Sequence, residues 1–203
     1  MFISIDGGDG TGKSTQVGLL RDWLVSQGRE VVVCRDPGST PLGEAIRELL
    51  LKRGDLHIHS RSEMLLYMTA RAQLVEEVIR PALQENKLVL SDRYLLANVV
   101  YQGYGVGLDV ETLWTIGRVV VDGVMPDLTI VLDLPAEEAA KRNCPLWDRM
   151  ERRGLEFHCR VREGFLAEAA RNPQQIVVID ARGSINKVHQ QIRRVMAAKL
   201  SEP

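Results

Sequence analysis

The chain has 203 residues, 45% of them hydrophobic, and its 26 Lys and Arg stand against 27 Asp and Glu. That length suits one α/β domain with a substantial core, and a net charge of −1 argues against a broad basic surface for nucleic acid. Three cysteines, Cys34, Cys144 and Cys159, are odd in number and share no metal-ligand spacing with the four histidines. That speaks against a zinc centre and reads His158 beside Cys159 as a helix-surface pair.

The first apolar run, Phe2 to Ile5, begins at the initiator Met and leaves no room for a signal peptide. No apolar run approaches the ~20 residues that span a bilayer, so a cytoplasmic protein without a membrane partner is expected. Gly7-Gly8-Asp9-Gly10-Thr11-Gly12-Lys13-Ser14 follows at once and satisfies G-x-x-x-x-G-K-[ST]. Its glycines let successive N–H groups converge on nucleotide phosphates, Lys13 adds a charge toward the β/γ-phosphates, and the Ser14 hydroxyl can ligate Mg²⁺. Lys13 is expected to be an exposed loop side chain. Val17, Leu20 and Leu24 mark a helix after the loop, with Gly28 as its stop.

A second strand, Val31 to Cys34, leads into Arg35-Asp36-Pro37-Gly38-Ser39-Thr40-Pro41, a rigid turn that opens on a guanidinium suited to an acceptor phosphate or to solvent. A helix is expected from Leu42 to Lys52. Ser60 and Glu63 form a capping-box pattern ahead of a long helix carrying Met64, Met68, Ala72, Val75 and Ile79, which Pro81 should kink or end. Tyr67 and Arg71 are four apart on it and share a face offset from the core stripe. They can stack on a base and reach its edge, or pack and be solvated.

Leu88 to Leu90 form a third strand, and Asp92 and Arg93 at its carboxyl end supply a Mg²⁺-organising acid and a bidentate donor for a second phosphate. Asp133, after the strand Leu128 to Leu132, has the same local pattern, so a strand-end aspartate alone does not decide; the Asp92-Arg93-Tyr94 combination decides for Asp92, because Arg93 supplies the donor for an acceptor phosphate, with a buried structural Asp–Arg pair as the alternative. Asn98, Tyr101 and Gln102 can read a base and sugar or merely pack and cap. Helices are expected at Val110 to Val120, Ala136 to Arg142, Leu155 to Ala170 and Ile185 to Leu200, with a fifth strand at Ile176 to Ile179. Basic residues from Lys141 to Arg162 mark a lid, about 142–154, that excludes water, or an exposed helix pair with compensating charges. Alternating strands and helices predict a doubly wound sheet of about five parallel strands with helices on both faces and ligands at the strands' carboxyl ends.

The phrases GGDGTGKST, RDPGSTPLGE, the YMTARAQ helix, SDRY followed by NVVYQG, PDLTIVLDLP, DRMERRGLEFHCRVREGF and VVIDA together resemble the thymidylate kinase family of phosphate-loop nucleoside monophosphate kinases. The resemblance covers essentially the whole chain, 1–203, as one domain. It implies transfer from ATP to dTMP with Mg²⁺, giving dTDP, by a homodimer. Gly7, Gly8, Asp9, Gly10, Thr11, Gly12, Lys13, Ser14 and Thr15 would hold ATP, with Ser14 and Asp92 serving the metal. Asp9 would sit between the dTMP sugar and the reacting phosphates. Arg35 and Arg93 would clamp the dTMP phosphate, Tyr67 would stack on the base, and Arg71 and Asn98 would face the thymine edge. Tyr101, with Gln102 beside it, matches a tyrosine tied to deoxyribose preference. Arg149 falls in the lid motif and is the expected catalytic arginine, with Arg142, Arg152 and Arg153 as alternatives. Asp6 and Asp36 replace glutamates, Ser39 a glycine and Tyr67 a phenylalanine. The lid, with Asn143-Cys144-Pro145-Leu146-Trp147, is shorter than in relatives.

The competing readings are another nucleoside monophosphate or deoxynucleoside kinase, a GTPase-type switch and a catalytically dead nucleotide binder. A switch would need an N-K-x-D guanine reader, and both Asn-Lys pairs, Asn86-Lys87-Leu88-Val89 and Asn186-Lys187-Val188-His189, lack the aspartate.

Overall fold

Parallel strands covered on both faces need apolar residues at successive positions, and β1 (Phe2–Gly7) is buried throughout. In the computed structural model, which describes residues 1–52, 56–142 and 153–201, β1 lies at the centre of a five-stranded sheet of order β2-β3-β1-β4-β5. The other strands are β2 (Val31–Arg35), β3 (Leu88–Asp92), β4 (Leu128–Asp133) and β5 (Ile176–Asp180), and every pairing is parallel. Ile3 faces Leu90 on one side and Leu128 on the other, so the end of β1 opens where the strand order reverses, the usual ligand crevice of such sheets.

Alternate residues of β1 serve opposite layers. Ile3 and Ile5 pack with Leu20 and Leu24 of α1 (Lys13–Ser26) and Ile192 of α9 (Ile185–Leu200). Phe2 packs on the other face with Leu74 of α3 (Ser60–Leu74), Leu95 of α5 (Leu95–Asn98) and Leu113 of α6 (Val110–Val121). Each such fully buried side chain contributes about 1.5–3 kcal/mol of transfer free energy. A third cluster joins Tyr101 and Val131 to Phe157 and Phe165 of α8 (Leu155–Arg171). The remaining helices are α2 (Pro41–Leu51), α4 (Arg80–Gln84) and α7 (Ala136–Arg142).

One sequence expectation is corrected and a second is narrowed. The expected capping box does not form: His59 is the N-cap of α3, its side chain accepting from the Arg61 N–H, and Glu63 is buried against other partners. Pro81 does not end the helix, because the chain widens into a π-helical turn at Val75–Ile79 and continues into α4; a wide turn accommodates the hydrogen bond that proline cannot donate. A second π-helical segment, Val99–Gly105, extends α5, and no sequence pattern announced it. Gly105 there is a close-approach residue, since a Cβ would stand 2.6 Å from the Phe157 ring.

Candidate active site

The phosphate loop is shaped from both sides. Gly7 has φ +135°, and a side chain there would lie 2.5 Å from the Leu132 carbonyl oxygen, so only glycine fits against β4. The Gly8 carbonyl oxygen accepts from Thr11 Oγ1 at 2.9 Å and from Lys13 Nζ at 2.6 Å. Lys13 is thus folded back onto its own loop and buried rather than exposed, a correction to the sequence reading that follows from its place as the first residue of α1. Burial, reinforced by the neighbouring Arg93, pushes its ammonium down to about 8.

Across the sheet's carboxyl edge, a cleft of about 390 Å³ is lined by Asp9, Gly10 and Gly12 to Thr15 on the loop side. Arg35, Arg47, Tyr67, Arg71, Asp92, Arg93, Asn98, Tyr101 and Gln102 line the other side. Gly7, Gly8 and Thr11 shape the loop from outside this lining. Asp92 accepts from Ser14 Oγ at 2.6 Å, which brings two hard oxygen donors together at the mouth of the loop. Asp133, its local equivalent, is instead held by Arg162 through bonds of 2.6 and 2.9 Å. Asp92 thus lies in the cleft beside the phosphate loop, whereas Asp133 is paired with Arg162 outside that lining.

Arg93 sits at φ +69° and donates to the Gly7 carbonyl at 3.1 Å, to Tyr101 Oη at 3.2 Å and to the Asp9 carboxylate. Tyr101 also donates to Asp9 at 2.8 Å. Burial works against ionisation of Asp9, but Arg93, Lys13 and the Tyr101 hydroxyl together hold its carboxyl below the ordinary range. Beneath it, Asp6 is fully buried with both oxygens lacking a hydrogen-bond partner. Desolvation raises it to about 6 against the opposing pull of Arg93.

Arg71 is not a boundary arginine. Its side chain is 2% exposed and donates from Nε to Asp36 Oδ2 at 2.6 Å and from Nη1 to Asn98 Oδ1 at 3.0 Å. Asp36 itself is fully buried, and desolvation raises its pKa despite the guanidinium beside it. Arg35 is half-exposed, bonded to Glu44 at 2.9 Å, and Glu44 is further pinned by the Ser39 N–H at 2.8 Å. Arg47 was not singled out from the sequence. It lines the cleft, donates to the Pro37 carbonyl at 3.1 Å, and its affinity for a proton is lowered by burial and by the like charges of Arg35 and Arg93. Its only local signal was its place beside Ile46 on α2, which a solvated arginine shares.

Around the expected lid, Arg142 donates to the Ala181 carbonyl at 3.0 Å and Arg160 to the Gly105 carbonyl and Glu156. Arg153 reaches Glu63 at 3.2 Å. Arg149 and Arg152 lie outside the described residues, as does Cys144. His158 is half-buried on α8, its ring edge-on to Phe157 at 5.4 Å. Among the described residues, no group of three His, Cys, Asp or Glu could hold a metal ion, and no helix is long and apolar enough to cross a membrane.

The sequence matches the Thymidylate kinase family model over residues 5–192. The thymidylate kinase of Rhodopirellula baltica is 46% identical over 194 residues, covering 96% of this chain and 79% of that protein. That of Kosmotoga olearia is 46% identical over 194 residues, covering 95% and 93%. The crystal structure of thymidylate kinase from Ehrlichia chaffeensis superposes with a TM-score of 0.79 at 33% identity, covering 97% of this chain and 98% of that one. A phosphate loop and an arginine-lined wall that share one cleft are thus joined to a match along nearly the entire length, and the chain belongs to the thymidylate kinase family.

Proposed function

We propose that the chain transfers the γ-phosphoryl group of ATP to dTMP, yielding dTDP and ADP, with the residues of the one cleft divided between donor and acceptor. The observation that carries this reading is the joint lining of that cleft by residues of the phosphate loop and by Arg35, Arg47, Arg71 and Arg93. Two phosphate-bearing ligands can then be held with their charges facing one another. The loop from Gly7 to Thr15 receives the ATP phosphates, and Lys13 neutralises developing charge on the transferring group.

Arg93, with Arg35 and Arg47, holds the dTMP phosphate. Asp9, kept ionised, orients Arg93 and the sugar through Tyr101. Arg71 and Asn98 present a fixed donor and amide to the pyrimidine edge, beneath Tyr67. No general base is required, because the acceptor phosphate is already ionised, so the protein's work is alignment and charge neutralisation. Mg²⁺ fits the donor set, since Ser14 Oγ and the Asp92 carboxylate are adjacent hard oxygens and this ion takes few protein ligands beside nucleotide phosphates; it would supply charge neutralisation on the β- and γ-phosphate oxygens.

Arg149 completes the reading as the arginine that approaches the transferring group. We take the chain as one cytoplasmic domain with its lid at about 142–154, working as a homodimer by likeness to its family. A coupled ADP assay with dTMP, dUMP, dCMP, dGMP, dAMP and thymidine as acceptors tests the reaction, with dTMP expected to give the highest kcat/KM. ADP release with thymidine but not with dTMP overturns it. Alanine replacement at Arg142, Arg149, Arg152 and Arg153 under saturating substrates should cost orders of magnitude in kcat at Arg149 alone.

A further inference from the structure

Glu63, Tyr67 and Arg71 follow one another at intervals of four on α3 and so share a face, the one turned to the acceptor side of the cleft. Tyr67 and Arg71 line the cleft, whereas Glu63 is buried behind it with 1% of its side chain exposed. Its Oε1 accepts from Gln102 Nε2 at 3.1 Å. Gln102 Oε1 accepts from Asn98 Nδ2 at 2.7 Å, and Asn98 Oδ1 accepts from Arg71 Nη1 at 3.0 Å. A single hydrogen-bonded line therefore runs from Asp36 through Arg71, Asn98 and Gln102 to Glu63.

The polarity of that line is decided at its ends. A guanidinium can only donate and a carboxylate can only accept, whereas each amide between them could face either way. With Arg71 at one end and Glu63 at the other, only one orientation of both amides satisfies every member, and in a buried network the unsatisfied alternative is costly. Glu63 is in turn engaged by Arg153, whose Nη2 lies 3.2 and 3.3 Å from its two oxygens. Arg153 stands immediately before α8 with its guanidinium 5.0 Å over the Phe157 ring.

The geometry points to Glu63 as a positioning residue for base recognition: it anchors the far end of the amide line whose direction Arg71 fixes, and through Arg153 it clasps the start of α8 to the acceptor pocket. This rests on the reading of Arg71 and Asn98 as the groups that meet the pyrimidine edge. Glu63→Gln keeps the shape and the one orientation that Arg71 imposes, but it removes the charge and one acceptor oxygen, so Gln102 and Arg153 must share the single carbonyl oxygen that remains. The line and the clasp are then both loosened, while the Asn98 amide keeps its orientation and with it the choice between a carbonyl oxygen and an amino group at the pyrimidine 4-position.

The test is steady-state kinetics of the full chain with dTMP and dCMP at saturating ATP. For Glu63→Gln we expect the KM for dTMP to rise about tenfold, kcat to stay within threefold, the KM for ATP to be unchanged, and the preference for dTMP over dCMP to be kept. Arg153→Ala should shift the KM in the same direction, Arg153→Lys should recover most of it, and the Glu63→Gln/Arg153→Ala double variant should be no worse than the stronger single one. A wild-type dTMP KM in Glu63→Gln, while Arg71→Ala raises it, overturns the proposal and leaves the base reading standing. An unchanged dTMP KM in Arg71→Ala overturns the base reading itself. Should Glu63→Gln fail to fold, the Arg153 pair decides alone: a loss of kcat by orders of magnitude in Arg153→Ala, or no recovery with lysine, overturns the clasp.

Discussion

Replacing Arg71 by methionine would keep most of its apolar volume and strand the Asp36 carboxylate, whose side chain has no exposed surface. Removing one partner of a buried ion pair costs about 3–5 kcal/mol, and at about 2–4 °C per kcal/mol for a chain of this size the melting temperature should fall by about 10 °C. Asp36 already binds its proton more tightly than an ordinary carboxyl, and without the guanidinium that tendency grows. For an acid whose folded pKa lies above its unfolded one, stability is fully present below the unfolded pKa and is lost as pH rises through the folded value. The deficit of Arg71→Met should therefore be larger at pH 8 than at pH 5. Adding Asp36→Asn removes the stranded charge and should restore most of the loss, yet the KM for dTMP should stay raised, because no guanidinium faces the base. Differential scanning calorimetry and initial rates on the three proteins check this. A double variant that recovers both stability and dTMP affinity, or a single variant as stable as the parent, would refute the division of Arg71 between a structural and a recognition role.

Asp6→Asn should raise the melting temperature at pH 8 and have little effect at pH 4. The folded value of about 6 against the ordinary 3.8 means that folded Asp6 keeps a proton the unfolded chain has released, which removes about 3 kcal/mol of stability as pH climbs through that window; a constant difference across pH in thermal melts would contradict it. Lys13→Ala should abolish measurable turnover without lowering the melting temperature at pH 7, since burial already disfavours its charge. Retained turnover in the ADP assay would remove Lys13 from the donor site. Tyr101→Phe deletes the bonds to Asp9 and Arg93 and should cost about 1 kcal/mol of stability. It should also raise kcat/KM for UMP relative to dUMP, a ratio that competition assays report.

All five strands fall where short apolar runs stood in the sequence, because a parallel core strand writes its burial into consecutive residues. The phosphate loop was equally legible, its function being carried by local backbone shape. The acceptor wall was legible only in part. Arg71 and Asp36 are 35 residues apart and become partners through the placement of α3 over the end of β2, and nothing in RDPGST alone says that its aspartate is buried. Arg47 reads as any arginine on an amphipathic helix until the fold sets it beside Arg35 and Arg93. Glu63 satisfied a capping pattern by spacing, but a buried amide and a guanidinium offered its carboxylate stronger partners than the helix N-terminus did. The π-helical segments had no signature because they relieve constraints, a proline in one case and a crowded interface with α8 in the other, that arise only once the neighbours are in place.

The central position of β1 also orders events in time. Its first neighbour, β2-linked β3, ends at Asp92, but the strand that closes its other edge begins only at Leu128, and the Gly7 turn rests directly on Leu132. At about 5–20 residues per second of synthesis, the phosphate loop leaves the ribosome roughly 6–25 s before the strand that shapes it. During that interval the emerging chain carries β1, β2 and β3 with one flank of the loop unsupported, so phosphate binding is acquired late, and a chain stopped short of β4 would hold the whole glycine motif without the wall it leans on.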